Sequence, residues 1–151
     1  MGKHIAAAID DIEAFGQAIV SGAIKSPTGE PFTDVLWIGI GGSGLGPLLM
    51  IRALQENGSG LPFHFFDNVD PNGMSRVLAQ LGDALRTTLV VTVSKSGGTP
   101  EPHLGMEQAR HRLEAVGGTW AAQAVAITMA DSKLDQKASE EQWLKRFDMF
   151  D

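Results

Sequence analysis

The chain has 151 residues, a formal net charge of −6, 43% hydrophobic and 20% charged residues, and no cysteine. This suits one soluble domain with its own core and removes disulfides, zinc thiolates and thiol catalysis. The acidic balance and the lack of a dense Lys/Arg run argue against nucleic acid or an anionic membrane surface as the main partner. No apolar run approaches the ~18–20 residues of a membrane span.

Residues Lys3–Ser21 place Ile5, Ala8, Ile9, Ile12, Phe15, Ile19 and Val20 at helical spacing, with Gly22 to end the helix. Asp10, Asp11 and Glu13 lie inside this pattern, unlike a signal peptide, so a cytoplasmic protein is expected. Ile24–Thr33, with Pro27, Gly29 and Pro31, reads as a loop. Val35–Ile40 is apolar without alternation, as a parallel strand covered on both faces should be. A glycine cluster follows. Pro47–Gln55 then reads as a helix with proline in its first turn, stopped by Asn57-Gly58.

Pro62–Phe66 is a short strand candidate. Asp70 caps a helix that starts at Pro71 or Asn72, aligns Met74, Val77, Leu78 and Leu81, and closes at Gly82. Thr88–Val93 is a third strand. Ser94–Gly98 is a second small-residue loop, and Thr99 and Pro100 open a helix to about Val116, ended by Gly117-Gly118. Ala124–Met129 is a fourth strand, and Asp131-Ser132 opens a polar helix toward Leu144. Phe147, Met149 and Phe150 look like the start of another buried element, so a longer natural polypeptide is expected. The alternation predicts an α/β three-layer sandwich, a mostly parallel sheet with helices on both faces. Ligands of such sheets sit beyond the carboxyl ends of the strands, where both small-residue loops fall.

The first loop matches a dinucleotide fingerprint at Gly39, Gly41 and Gly44, with Asp67 at about the distance of a ribose-binding carboxylate. That reading assigns no work to the second loop. A P-loop fits less well, because Pro47 stands where the lysine belongs. The bland reading of these glycines is a tight strand-to-helix turn. Ser94-Lys95-Ser96-Gly97-Gly98-Thr99 offers three hydroxyls, an ammonium, backbone amides and a helix N-terminus, the parts of a metal-free phosphate cradle. Its bland reading is a polar turn with capping hydroxyls. Glu101 is either a surface carboxylate suited to the helix dipole or a group beside a bound sugar. His4, His64, His103 and His111 show no metal-ligand spacing, so no metal is expected.

Together, Val35–Pro47 and Ser94–Glu101 resemble the sugar isomerase (SIS) domain and, within it, the glucose-6-phosphate isomerase family. That family's pattern runs Ile-Gly-Gly-Ser-x-Leu-Gly and then Ser-Lys-Ser/Thr-x-x-Thr-x-Glu-Thr. Ile40–Gly46 fits the first part and Ser94–Glu101 the second. The closing Phe147–Asp151 resembles the approach to the family's next glycine/arginine loop. The resemblance covers the chain from about residue 34, which gives an N-terminal helix and loop over 1–33 and a SIS-type, flavodoxin-like domain over 34–151.

The resemblance implies interconversion of glucose 6-phosphate and fructose 6-phosphate through a cis-enediol, without cofactor, by an enzyme that is a homodimer at full length. By position, Ser94, Ser96 and Thr99 would hold the phosphate with the Lys95 backbone, and Gly42 and Ser43 would face the sugar. Glu101 would lie near the sugar or orient a histidine supplied by a partner subunit. Pro102 departs from the pattern, which has a threonine there, so one phosphate hydroxyl is missing. The family's base, ring-opening histidine, stabilising arginine and C-terminal lysine belong to later segments. The expectation is therefore a binding part with no catalytic residue of its own and no significant turnover alone. The alternatives are a non-catalytic SIS sugar-phosphate-binding module, a dinucleotide-binding oxidoreductase domain and an assembly fragment without ligand.

Overall fold

The computed structural model describes residues 2–55, 60–68 and 70–149. The Asn57-Gly58 helix stop and the last aromatic, Phe150, lie outside the described residues. The elements alternate: α1 (Gly2–Val20), β1 (Asp34–Ile38), α2 (Gly42–Leu54), β2 (Phe63–Phe66), α3 (Pro71–Leu81), a 3₁₀ turn (Gly82–Thr87), β3 (Thr88–Val93), α4 (Pro100–Ala115), α5 (Trp120–Gln123), β4 (Ala124–Thr128), α6 (Lys133–Glu140) and β5 (Lys145–Asp148). The sheet is entirely parallel, in the order β2-β1-β3-β4-β5. This is the flavodoxin-like doubly wound order rather than the 3-2-1-4-5-6 order of the dinucleotide fold, which weakens the dinucleotide reading.

Every residue of the central strand β3 is buried, as its β-branched run without alternation requires. Two cores flank the sheet. On one face Leu36, Ile38, Val90 and Ala126 pack with Met74 and Leu78 of α3, Met106 and Leu113 of α4, and Leu134 of α6. On the other, Val35, Leu89, Val91 and Val125 pack with Ile19 of α1 and Phe32. Gln123 is fully buried, yet all its polar groups have work. Its Nε2 donates to the Leu85 and Thr88 carbonyls, and its Oε1 accepts from the Thr119 amide. The side chain thereby ties the start of β3 to the turn before β4.

Asp70 caps α3 as expected, accepting from the Asn72 and Gly73 amides. Three expectations change. First, α2 begins at Gly42, so Pro47 lies inside the helix and not in its first turn. Second, α6 stops at Glu140 and does not run toward Leu144. Gln142 takes a left-handed conformation (φ 54°), which turns Trp143 inward against Trp120, edge to face at 5.4 Å, and the chain leaves as the parallel edge strand β5. Burial of two indoles outweighs another helical turn. Third, the apolar stripe of α1 is only partly covered. Ile19 is buried, but Ile5, Ile9, Ile12 and Val20 are exposed.

A charge cluster fixes α4 against the end of α6. Arg110 bonds both Glu114 and Glu141, and Glu141 also receives Lys137 and the Trp143 indole N–H. Burial raises the Glu141 carboxyl, but these donors outweigh it and hold its pKa below the ordinary 4.5. The stability this contributes is present above pH 4.5 and is lost as pH falls through the lower folded value. Glu141→Gln should therefore flatten the acid limb of a melting-temperature profile below pH 4.5 relative to the unaltered chain.

Candidate functional site at the switch between two strands

From β1 the chain crosses one way to β2, and from β3 it crosses the other way to β4. Connections that diverge from neighbouring strands leave a crevice beyond their carboxyl ends. Ile38 and Thr92 are register partners at those ends. The glycine cluster after β1 and the Ser94–Thr99 loop after β3 therefore leave the sheet side by side.

The first loop is held by glycine at two touching points. A methyl group on Gly44 would overlap the Gly39 carbonyl oxygen, and one on Gly39 would strike the Ser43 backbone. Gly41, at φ 60°, occupies the N-cap position without a side-chain cap. Such contact pulls the first turn of α2 onto the end of β1, with Gly42 and Ser43 as its first two residues. Ser43 thus sits in the helix and not at a loop tip. This creates a problem four residues later. Pro47 has no N–H, so the Ser43 carbonyl loses its usual helical donor. The Trp37 indole N–H donates to that carbonyl instead, at 2.8 Å. Sequence reasoning missed this role of Trp37. The signal was a proline four residues after a residue itself drawn into the helix.

In the second loop the hydroxyls organise the backbone. Ser94 is buried and its Oγ accepts the Gly97 amide, while the Ser96 Oγ accepts the Gly98 amide. These two of the backbone amides expected in the cradle therefore point into the loop instead. Each serine hydroxyl keeps its proton as a donor. Gly97, at φ 65°, lies against the Leu134 backbone with no room for a side chain. Thr128, at the end of β4, donates to the Ser94 carbonyl at 2.6 Å and contacts Ser132, the N-cap of α6. Met129 N–H donates to the Lys95 carbonyl. Ser132 opens α6 as the sequence predicts, whereas nothing in the sequence singles out Thr128, because its partner carbonyl lies on the neighbouring strand's loop.

Thr99 stands at the N-cap of α4 but makes no capping hydrogen bond, against expectation. Pro100 and Pro102 occupy the first and third helical positions, so one of the two amides an N-cap side chain can reach is absent. The Thr99 hydroxyl is left exposed at the loop's end. Glu101 is half-buried in the same turn. A cavity of about 280 Å³ lies below, lined by Thr92, Ser94, Gly97, Thr99, His103 and Lys133 among others, but not by Gly42, Ser43, Lys95, Ser96 or Glu101. His64 is engaged elsewhere, with its Nε2 2.8 Å from Asp34 Oδ1.

A model of the phosphoglucose isomerase family matches residues 2–150. Among curated relatives, glucose-6-phosphate isomerase of Parasynechococcus marenigrum is 77% identical over 148 residues, 98% of this chain and 27% of the relative. That of Prochlorococcus marinus (strain MIT 9313) is 76% identical over 98% of this chain and 27% of its own length. The crystal structure of a glucose-6-phosphate isomerase from Chlamydia trachomatis superposes with a TM-score of 0.68 at 39% identity, over 80% of this chain and 22% of that one. The chain spans about a quarter of the length of these relatives.

Two pairs of variants test the first loop. Gly44→Ala should destabilise the chain by about 2 kcal/mol through overpacking. Gly46→Ala, where a methyl group meets nothing, should gain up to about 1 kcal/mol from helix propensity. Trp37→Phe should cost about 1 kcal/mol by orphaning the Ser43 carbonyl, and clearly less in a Pro47→Ala background, where an amide returns. Urea denaturation of the four single variants and the one double variant reads both effects.

Proposed function

The chain belongs to the phosphoglucose isomerase family, and we propose on that premise that it supplies the sugar-phosphate-binding part of a glucose-6-phosphate isomerase. The observation that carries the reading is the shared exit of two small-residue loops from register-paired strands at the switch point of the sheet. The phosphate of the sugar sits against Ser94–Thr99. The Ser94 and Ser96 oxygens already accept loop amides, and each hydroxyl keeps its proton to donate to the phosphate. Thr99, relieved of capping, adds a third hydroxyl, and the Lys95 backbone completes the cradle. Gly42 and Ser43 bring the N-terminal turn of α2, with its positive dipole end, toward the sugar. Glu101 stands in the first turn of α4, beside the sugar or orienting a histidine from a partner subunit.

The reaction of the whole enzyme is the interconversion of glucose 6-phosphate and fructose 6-phosphate, with a proton moved between C1 and C2. A general base must lie within hydrogen-bond reach of that proton. Of this chain's residues only Glu101 comes into question, and the family pattern does not use that position as the base. The chain therefore binds without turnover, and the remaining polypeptide brings the acid/base groups. The homodimeric state and cytoplasmic location belong to the same proposal. Among the described residues no helix is long and apolar enough to cross a membrane.

Titration of the 151-residue chain with fructose 6-phosphate, followed by tryptophan fluorescence, checks the reading, because Trp37 is bonded to the first loop. Saturable binding is expected, weakened about tenfold by Thr99→Ala, which removes ~1.4 kcal/mol of hydrogen bonding. Pro102→Thr restores the missing hydroxyl but also the amide that Thr99 can cap, so it should change binding less than about threefold. NAD should give no response; saturable NAD binding without a sugar-phosphate response would overturn the proposal. Substantial isomerisation in a coupled assay would refute the absence of turnover.

A further inference from the structure

The cavity of about 280 Å³ between the Ser94–Thr99 loop, α4 and α6 contains a group that sugar-phosphate binding does not use. Thr92 lines it from β3 and is only 2% exposed. Its Oγ1 has no hydrogen-bond partner among the described residues. The other buried hydroxyls among those residues are all engaged. Ser26 bonds the Glu30 carbonyl, Thr88 the Ala84 carbonyl and Thr128 the Ser94 carbonyl, and Ser94 accepts the Gly97 amide. A buried hydroxyl is ordinarily satisfied, and one that faces a cavity unsatisfied calls for an occupant.

The rest of the lining sets the chemistry of that occupant. Pro102, Met106 and Leu134 make the walls apolar, and no carboxylate lines the cavity. The cations come from α6. Lys137 is committed to Glu141 at 3.0 Å and Glu107 at 3.7 Å. Lys133 makes no ion pair among the described residues. It is exposed at the first position of α6, so its ammonium stands at the mouth beside the positive end of that helix. A water takes about 30 Å³ of liquid, so a cavity of about 280 Å³ admits a body of up to roughly nine non-hydrogen atoms.

We propose that this cavity is a second ligand site, behind the phosphate loop, for a short carboxylate that carries a hydroxyl or oxo oxygen. The carboxylate pairs with Lys133, the short carbon body lies against Met106 and Leu134, and the second oxygen accepts from Thr92. Gly42, Ser43, Lys95 and Ser96 do not line the cavity, and the sugar phosphate makes no use of Thr92 or Lys133. The two ligands therefore bind together, with Gly97, Gly98 and Thr99 between them.

A backbone-amide NMR titration of the 151-residue chain with D-glycerate tests this. Saturable shifts are expected at Gly97, Gly98 and Leu134, which line the cavity. Propionate lacks the second oxygen and glycerol lacks the charge, so each should bind at least about tenfold more weakly. Thr92→Val preserves the shape and should weaken glycerate by about tenfold without lowering the melting temperature, because no internal hydrogen bond is lost. Lys133→Ala, at an exposed position that the fold does not need, should weaken it about fivefold. A lower melting temperature for Thr92→Val would mean that its hydroxyl is bonded within the protein, and the proposal would fail. It would fail equally if glycerate did not saturate, or if neither variant changed its affinity. Displacement of glycerate by fructose 6-phosphate would put the carboxylate on the phosphate loop and refute a separate site. Fructose 6-phosphate binding by Thr92→Val should match that of the unaltered chain, which keeps failure here distinct from failure of the sugar-phosphate reading.

Discussion

The backbone contact between the end of β1 and the first turn of α2 governs the site. Gly39 and Gly44 leave no room for even a methyl group between them, so strand and helix meet backbone to backbone. The helix must then begin at Gly42, and Ser43 is carried into its first turn. Pro47 is thereby placed in the helix interior, where it would leave a carbonyl without a donor. The Trp37 indole supplies that donor from the strand. One steric constraint sets the helix start, the place of the serine and the need for an indole on β1.

The loop after β3 reaches a comparable rigidity by other means. Its serine oxygens accept its own glycine amides, Gly97 abuts Leu134, and Thr128 holds the Ser94 carbonyl from the neighbouring strand. Pro102 subtracts one hydroxyl from the family pattern and also withholds an amide that Thr99 would otherwise cap. The same residue thus leaves the Thr99 hydroxyl without a capping bond. Preorganised hydroxyls of this kind lose little entropy when an anion arrives.

The two faces of the sheet differ in completeness. α3, α4 and α6 close one face over a continuous core, reinforced by Arg110, Glu141 and Trp143 between α4 and the end of α6. On the other face α1 is tethered at β5 while α2 lies along the opposite side of an apolar cleft. This asymmetry explains why the helical stripe of α1, plain in the sequence, remains largely wet.

Local chemistry determined much of this by itself. The unalternating apolar runs at β1 and β3, the Asp70 cap, and the glycine and serine loops after those strands were legible because each depends on neighbours within a few residues. The family resemblance was legible for the same reason, since both motifs are contiguous. Only the tertiary structure decided where α2 begins, that Trp37 repairs the carbonyl opposite Pro47, that Thr128 anchors the second loop, and that α6 stops short so that Trp143 can meet Trp120. Each of these depends on atoms brought together by strand pairing or helix packing. A one-dimensional pattern records which side chains are apolar or polar, but not which backbone groups approach closely enough to exclude a methyl group or to need a donor.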